Sequence, residues 1–416
     1  MRIDEILHPE RGAWGRPLAG VRVLAAEQMQ ALPYATQLLA HLGADVVKIE
    51  HPVRGDSGRG AEPALVDEDG RRVGATYLRN NLSKRSVAID LKRTEGRALF
   101  LRLAPHFDVV AENFKQGALA RLGLGYADVA AAAPRAIYVS ISGFGHLEQT
   151  PYADWPAYAP VAEAMGGLYE PSKRPGEPPP VVVAGALGDN ASALFAVIGI
   201  LAALRHRERT GLGQHVDVAM YDAMVAMTDM VPFLWSMGAP ASMAAAGSTA
   251  LVAAFAARDG HFVVSVFREH HFRRLAEIVG HPEWCTDPRL ATRRGWAEHT
   301  EALVRPAVEA WARDKTKLEA ARALCEAGVV AGPSNRAEDI RADPHVAARA
   351  MLIEVPRPDA PTPLLVVGNP VKLSRAPEGP VRRFPRLGEH TDEVLRQVLS
   401  LPDAELAALR EAGVIA

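Results

Sequence analysis

An alternation of short β-rich runs with helical stretches constrains this chain more than any other feature. Val21-Arg22-Val23-Leu24 has strand character, Pro33 to Leu42 has helical spacing, and Asp45-Val46-Val47-Lys48-Ile49-Glu50 has strand character again. That is the order of a βαβ unit, whose strands run parallel. Pro33 suits a first helical turn and Gly43 the position just past a helix end, so the start and stop signals agree with the period. Further on, Thr94 can cap a helix from Glu95 to Leu103, and Asp108 to Ala111 and Ile137 to Ile141 read as strands. The expected fold class is α/β, with a Rossmann-like large domain whose parallel sheet carries helices on both faces.

From about Met224 the rhythm is lost. Asp259-Gly260 reads as a turn into a strand from His261 to Val266, and helical segments rich in Ala, Arg and Glu continue to about Ala327. The domain reading is therefore 1–223 as the first part of the large domain, 224–330 as a smaller α+β domain, and 331–416 as a C-terminal part returning to the large one. Val329 to Ala331 and Leu364 to Val367 have strand patterns, and Asp403 to Ala412 reads as a polar helix. At 416 residues with 48% hydrophobic content, the chain can bury more than one core. Between Pro171 and Pro180 it is rich in Pro, Gly and charge, the pattern of an exposed loop.

Several function classes find no support. Lys plus Arg number 47 against 49 for Asp plus Glu, so no overall charge draws the chain to nucleic acid or an anionic membrane. Cys285 and Cys325 stand far apart without metal or redox spacing, which points to a reducing, cytoplasmic setting. Met1 to Pro9 carries early acids and no apolar core of a signal peptide, and the run from Ala191 to Leu204 falls short of the ~20 residues of a membrane span. The first strand leads into Ala25-Ala26-Glu27-Gln28-Met29-Gln30 rather than the Gly-x-Gly-x-x-Gly of a dinucleotide site, and no phosphate loop ending in Gly-Lys-Ser/Thr is present. His270 and His271 are adjacent and cannot share a helix face as metalloprotease ligands do, so no metal is expected.

Asp189 sits where Val181-Val182-Val183-Ala184-Gly185-Ala186-Leu187-Gly188 gives way to the apolar helical run. A carboxylate at a helix start commonly caps the orphan N–H groups of the first turn. The same partial positive charge keeps a carboxylate ionised for nucleophilic attack, and neighbouring glycines admit a substrate. Position alone leaves both roles open.

An ordered set of further segments bears on that choice. His41-Leu42-Gly43-Ala44-Asp45 through Glu50 is followed by Gly55-Asp56, Asn81-Leu82-Ser83-Lys84-Arg85-Ser86 through Lys92, Glu112-Asn113-Phe114, Arg121-Leu122-Gly123 and Ser142-Gly143-Phe144-Gly145. Gly188-Asp189, Arg209 to Gln214, Asp343-Pro344-His345, Gly368-Asn369-Pro370 and Leu387 to Thr391 complete it. Taken together these resemble the class III CoA-transferase family, which includes formyl-CoA transferase, carnitine CoA-transferase and the α-methylacyl-CoA racemases. The resemblance implies Asp189 as a carboxylate nucleophile that forms a mixed anhydride with the acyl group and then an aspartyl-CoA thioester. It implies Gln30 beside it as an amide donor to oxyanion charge.

CoA contacts are implied at Ala31, His51, Arg59, Ile89, Asp90, Leu91 and Lys92, at Asn113, Phe114, Lys115 and Arg121, and at Ser142, Gly143, Phe144 and Gly145. The implied assembly is an interlocked homodimer, the implied substrates are an acyl-CoA and a carboxylic acid, and no tightly bound cofactor is expected, CoA being itself a substrate. Nucleic acid and membrane are not expected partners.

Three departures from the family pattern stand out. His51 replaces an arginine found near CoA in formyl-CoA transferase, leaving Arg54 or Arg59 to compensate. Tyr158 falls where the racemase branch has a histidine, and a tyrosine of ordinary pKa ~10 is a poor base at an α-carbon. Met243 to Ala250 matches a glycine-rich lid but holds a single glycine. CoA transfer is therefore the leading reading, with a CoA-ester racemase or a non-catalytic CoA-binding protein as alternatives.

Overall fold

The computed structural model describes residues 1–67, 69–174, 176–182, 185–238 and 250–416. Its centre is a six-stranded parallel sheet. Strands β1 (Arg22–Ala26), β2 (Asp45–Glu50), β5 (Lys84–Ala88), β6 (Val109–Glu112), β7 (Ile137–Ser142) and β8 (His215–Ala219) lie in the order β5-β2-β1-β6-β7-β8. The short pair β3 (Ala64–Val66) and β4 (Arg72–Gly74) forms a separate antiparallel hairpin.

Alternation along each strand builds two cores. Val23, Ala25, Val46 and Val109 face one side and pack with helices α1 (Ala31–His41) and α6 (Leu187–Thr210). Leu24, Ala26, Val47 and Val110 face the other and pack with α3 (Thr94–Leu103), α4 (Tyr126–Ala132) and the C-terminal helices Thr391–Leu399 and Asp403–Glu411. A period of two in side-chain direction, with both faces apolar, is what a doubly wound sheet requires.

The α/β expectation is met, and the strand at Asp45–Glu50 has the bounds its sequence suggested. Helix α1 ends with Gly43 at φ +110°, the left-handed position a glycine tolerates. Two local expectations change. Thr94 is the first helical residue of α3 rather than its cap, the cap position falling to Arg93. Helix α6 is longer than the Ala191–Leu204 run: it starts at Leu187, its N-cap is Ala186 in the left-handed region, and Asp189 is the third helical residue. Asp189 therefore does not cap.

At 24 residues α6 is long and apolar enough to cross a membrane. In the fold it buries Ala191, Ala193, Ala196, Ile200 and Ala203 in the core shared with α1 and α7 (Met220–Met227), and Arg207 near its end pairs with Asp108 at 2.8 Å. Its apolarity serves that core. Leu194, Ile198 and Leu201 on another face are exposed.

The chain divides into two compact units, one of 1–168, 181–229 and 345–416 that holds the parallel sheet, the other of 169–180 and 230–344. The second carries a three-stranded antiparallel sheet of β9 (Leu251–Ala257), β10 (Gly260–Val266) and β11 (Val330–Pro333), packed with helices around Phe255, Phe262 and Trp296. Its extent differs from 224–330 because β11 pairs with β10 and because Tyr169–Pro180 joins it.

Candidate active site

In a doubly wound sheet the strand order reverses at one point, and ligands bind in the crevice beyond the carboxyl ends of the strands there. Here the reversal lies between β1 and β6, the two central strands. The loop after β1 is Glu27-Gln28-Met29-Gln30 and the loop after β6 is Asn113-Phe114-Lys115. The Gln28 N–H donates to Asn113 Oδ1 and Asn113 Nδ2 donates to the Gln28 carbonyl, both at 2.9 Å. Met29, at φ +63°, donates its N–H to Asp56 Oδ1 at 2.8 Å.

Beneath these loops lies a network of buried charge. Glu27 Oε1 lies 2.6 Å from Lys84 Nζ and 3.5 Å from Lys48 Nζ, and Lys48 also pairs with Asp56 at 2.6 Å. Burial opposes the Glu27 charge, but the two lysines outweigh it and hold the carboxyl below its ordinary range. Lys84, desolvated and close to Lys48, is pushed down to about 8 despite Glu27. Arg59 grips Glu50 at 2.7 and 2.8 Å and donates to the Tyr77 hydroxyl at 2.5 Å. Three carboxylates thus meet three cations, the arrangement that makes buried charge tolerable.

Two cavities open beside these loops, and Glu27, Glu50 and Asp56 of the network line the second. One, of about 640 Å³, has Gln30, Ala31, Asn113, Phe114, Lys115, Ser142, Gly143, Phe144 and Asp189 in its wall, with Trp155 and Tyr158 from the segment before α5 (Ala159–Met165). The other, of about 630 Å³, is lined by His51, Arg54, Ile89, Asp90, Leu91, Lys92, Phe114 and Arg121. Gln28, Ser57 and Phe114 belong to both walls. Arg54, Lys92 and Arg121 in the second wall are exposed, and the first wall includes the Asp189 carboxylate.

Two of the expected residues stand elsewhere. Arg59 lines neither cavity, and its fork is spent on Glu50 and Tyr77, whereas Arg54 lines the second cavity with His51. Gly145 also lies behind the wall. It holds φ +87° and donates its N–H to Ser142 Oγ at 2.9 Å, closing the turn after β7. Gly143 admits a close approach, since a Cβ there would sit 2.6 Å from the Ala157 Cβ. The expected lid at Met243 to Ala250 lies outside the described residues except for Ala250.

Asp189 is half-buried. Among the described residues its carboxylate has no hydrogen-bond partner, and the Gly188 N–H donates to Glu163 Oε1 at 2.9 Å. Burial and the Glu163 charge, opposed by Arg79, push Asp189 up to about 6. The helix start was expected to favour its charge; desolvation and the acid neighbour prevail. At neutral pH the group remains mostly ionised yet poorly solvated, which suits a nucleophile.

Sequence reasoning missed Arg79, Glu163 and Asn190. Arg79 and Glu163 reach the site only through tertiary packing. Asn190 carried a signal, its place beside Asp189. Gln30 Nε2 donates to Asn190 Oδ1 at 3.0 Å, and Arg79 donates to Gln30 Oε1. Among the described residues no cluster of three or more His, Cys, Asp or Glu is placed to hold a metal ion.

Known proteins place this architecture. Succinyl-CoA–D-citramalate CoA-transferase of Chloroflexus aurantiacus is 36% identical over 416 residues, covering 96% of this chain and 98% of that protein. Succinyl-CoA:mesaconate CoA-transferase of Haloarcula hispanica is 36% identical over 385 residues, 91% of this chain and 95% of that protein. The crystal structure of a CaiB/BaiF family protein from Brucella suis superposes with a TM-score of 0.80 at 32% identity, covering 92% of this chain and all of that one. The family model described as CoA-transferase family III matches residues 18–391, and the chain belongs to that family.

Proposed function

We propose that the protein moves CoA from an acyl-CoA donor to a free carboxylic acid, with Asp189 as the covalent carrier. Asp189 Oδ attacks the thioester carbonyl, CoA thiolate leaves, and a mixed anhydride joins the acyl group to Asp189. The thiolate attacks the aspartyl carbonyl, the donor acid departs with the bridging oxygen, and an aspartyl-CoA thioester remains. The acceptor carboxylate then runs both steps in reverse. Bond energy stays in activated acyl groups, so no nucleotide is consumed, and water has to be excluded while the anhydride exists.

The observation that carries this reading is the half-buried Asp189 in the wall of one cavity with Gln30, beside a second cavity edged by Arg54, Lys92 and Arg121. Guanidinium and ammonium groups suit the phosphates of CoA. The pantetheine arm would pass Phe114 and the Ser142-Gly143 turn to Asp189, and the second N–H of the Gln30 amide would stabilise oxyanion charge. Tyr158 is 72% exposed, and among the described residues no histidine lines the Asp189 cavity, which favours transfer over epimerisation.

The names of the relatives point to dicarboxylic acids as the substrate class, with succinyl-CoA as the first donor to try. A homodimer accords with the family and with the exposed strip Leu194, Ile198 and Leu201 on α6, a face that a second copy can cover. The test is acyl exchange between a panel of acyl-CoAs and free mono- and dicarboxylic acids. Exchange that is abolished in Asp189→Ala supports the reading; undiminished exchange in that variant overturns it.

A further inference from the structure

We propose that Arg79 and Asn190 are positioning residues that fix which end of the Gln30 amide faces Asp189. A primary amide has two ends of nearly equal shape, only one of which donates, so a catalytic amide works in one of its two orientations. Both neighbours of Gln30 impose the same one. The Arg79 guanidinium only donates, so the Gln30 atom it meets is Oε1. On the other side Asn190 Nδ2 donates to the Gly185 carbonyl at 2.7 Å, and a carbonyl only accepts, so Asn190 turns Oδ1 toward Gln30 Nε2 at 3.0 Å. The polarity is set at both ends by groups that cannot reverse.

One N–H of Gln30 is used by Asn190, and the other is left for the reacting carbonyl. Were the amide reversed, an oxygen lone pair would meet the developing oxyanion. Both neighbours of Gln30 are themselves held by secondary structure. Arg79 lies on α2 (Ala75–Asn80), and its backbone carbonyl accepts from Gln37 Nε2 of α1 at 2.9 Å, while Gln37 Oε1 accepts the Leu82 N–H at 2.8 Å. Asn190 follows Asp189 in the first turn of α6, so the amide and the nucleophile are registered on the same helix end. Among the described residues no carboxylate lies within ion-pair distance of the exposed Arg79; its charge reaches Asp189, and its hydrogen bond is made to Gln30. The inference rests on the proposed role of Gln30 as oxyanion donor at Asp189.

The experiment is steady-state transfer by the full chain carrying Arg79→Met, Arg79→Lys, Asn190→Ala, Gln30→Ala and the double variant Arg79→Met with Gln30→Ala, each checked for an unchanged thermal midpoint. Arg79→Met and Asn190→Ala are expected to lower kcat by about tenfold or more, with KM for both substrates within about threefold. Arg79→Lys, which keeps a donor, recovers most of the rate. In the Gln30→Ala background Arg79→Met costs little further, because the group it orients is gone. An equal loss in both backgrounds overturns the relay and assigns Arg79 a direct effect on Asp189 or substrate. Full activity in Gln30→Ala together with inactive Asp189→Ala overturns the relay through its premise, leaving the nucleophile standing.

Discussion

Gln28 and Asn113 exchange two hydrogen bonds of 2.9 Å across the point where the strand order of the parallel sheet reverses. The pair ties the loop carrying Gln30 to the loop carrying Phe114 and Lys115, and residues of both loops stand in the cavity walls. Asn113→Ala removes both bonds and leaves a backbone N–H and carbonyl to find water. The expected outcome is a rise of about tenfold in KM for acyl-CoA with a smaller change in kcat, read from initial rates. An unchanged KM would remove the contact from the account.

The raised pKa of Asp189 gives a pH dependence of definite sign. In the proposed reaction only the carboxylate attacks, so kcat/KM is expected to fall as pH drops through about 6 and to level above it. Glu163→Gln keeps an oxygen for the Gly188 N–H and removes the like charge, so the inflection moves to lower pH. Between 3.8 and about 6 the native chain holds the Asp189 proton more tightly than the unfolded chain, so this group's contribution to stability declines as pH rises through that window. Asp189→Asn is therefore expected to raise the thermal midpoint at pH 7 while losing transfer, and thermal melts at several pH values check it.

The floor of the site predicts a stability effect without a direct catalytic one. Glu27→Gln leaves Lys48 and Lys84 facing each other in a buried space, with Asp56 as the remaining acid beside Lys48. Removing one partner of a buried ion pair costs about 3 to 5 kcal/mol, so a loss of that size is expected in denaturant unfolding of the sheet-bearing unit. A change within experimental error would show that the network is not the support described.

What the sequence disclosed and what it withheld divide along a physical line. The βαβ rhythm was legible because strand and helix periods are local, and Asp45–Glu50 shows it. The parallel sheet followed from that rhythm, yet β8 (His215–Ala219) and β9 (Leu251–Ala257) escaped notice, one hidden after a long helix and the other among alanines that suit either state. Asp189 was legible as a carboxylate before an apolar helix, its role and that of Gln30 only through the resemblance, and both line one cavity. The Arg59 fork closed on Glu50, and Arg79 beside Gln30, depend on partners brought together by the fold. Lys48 and Lys84 on neighbouring strands gave no hint of burial, since a charged strand residue usually faces water.

If Asp189 carries the acyl group and then CoA, one oxygen atom has a definite destination. In the proposed sequence the acceptor acid gives one carboxylate oxygen to the anhydride bridge, and that oxygen stays on Asp189 when the new acyl-CoA departs. Turnover with an acceptor acid labelled with heavy oxygen in its carboxylate, followed by proteolysis and mass measurement of the peptide that spans Asp189, reads this directly. Heavy oxygen is expected in the Asp189 carboxyl after turnover; product formed with label absent from that peptide would rule out Asp189 as the carrier.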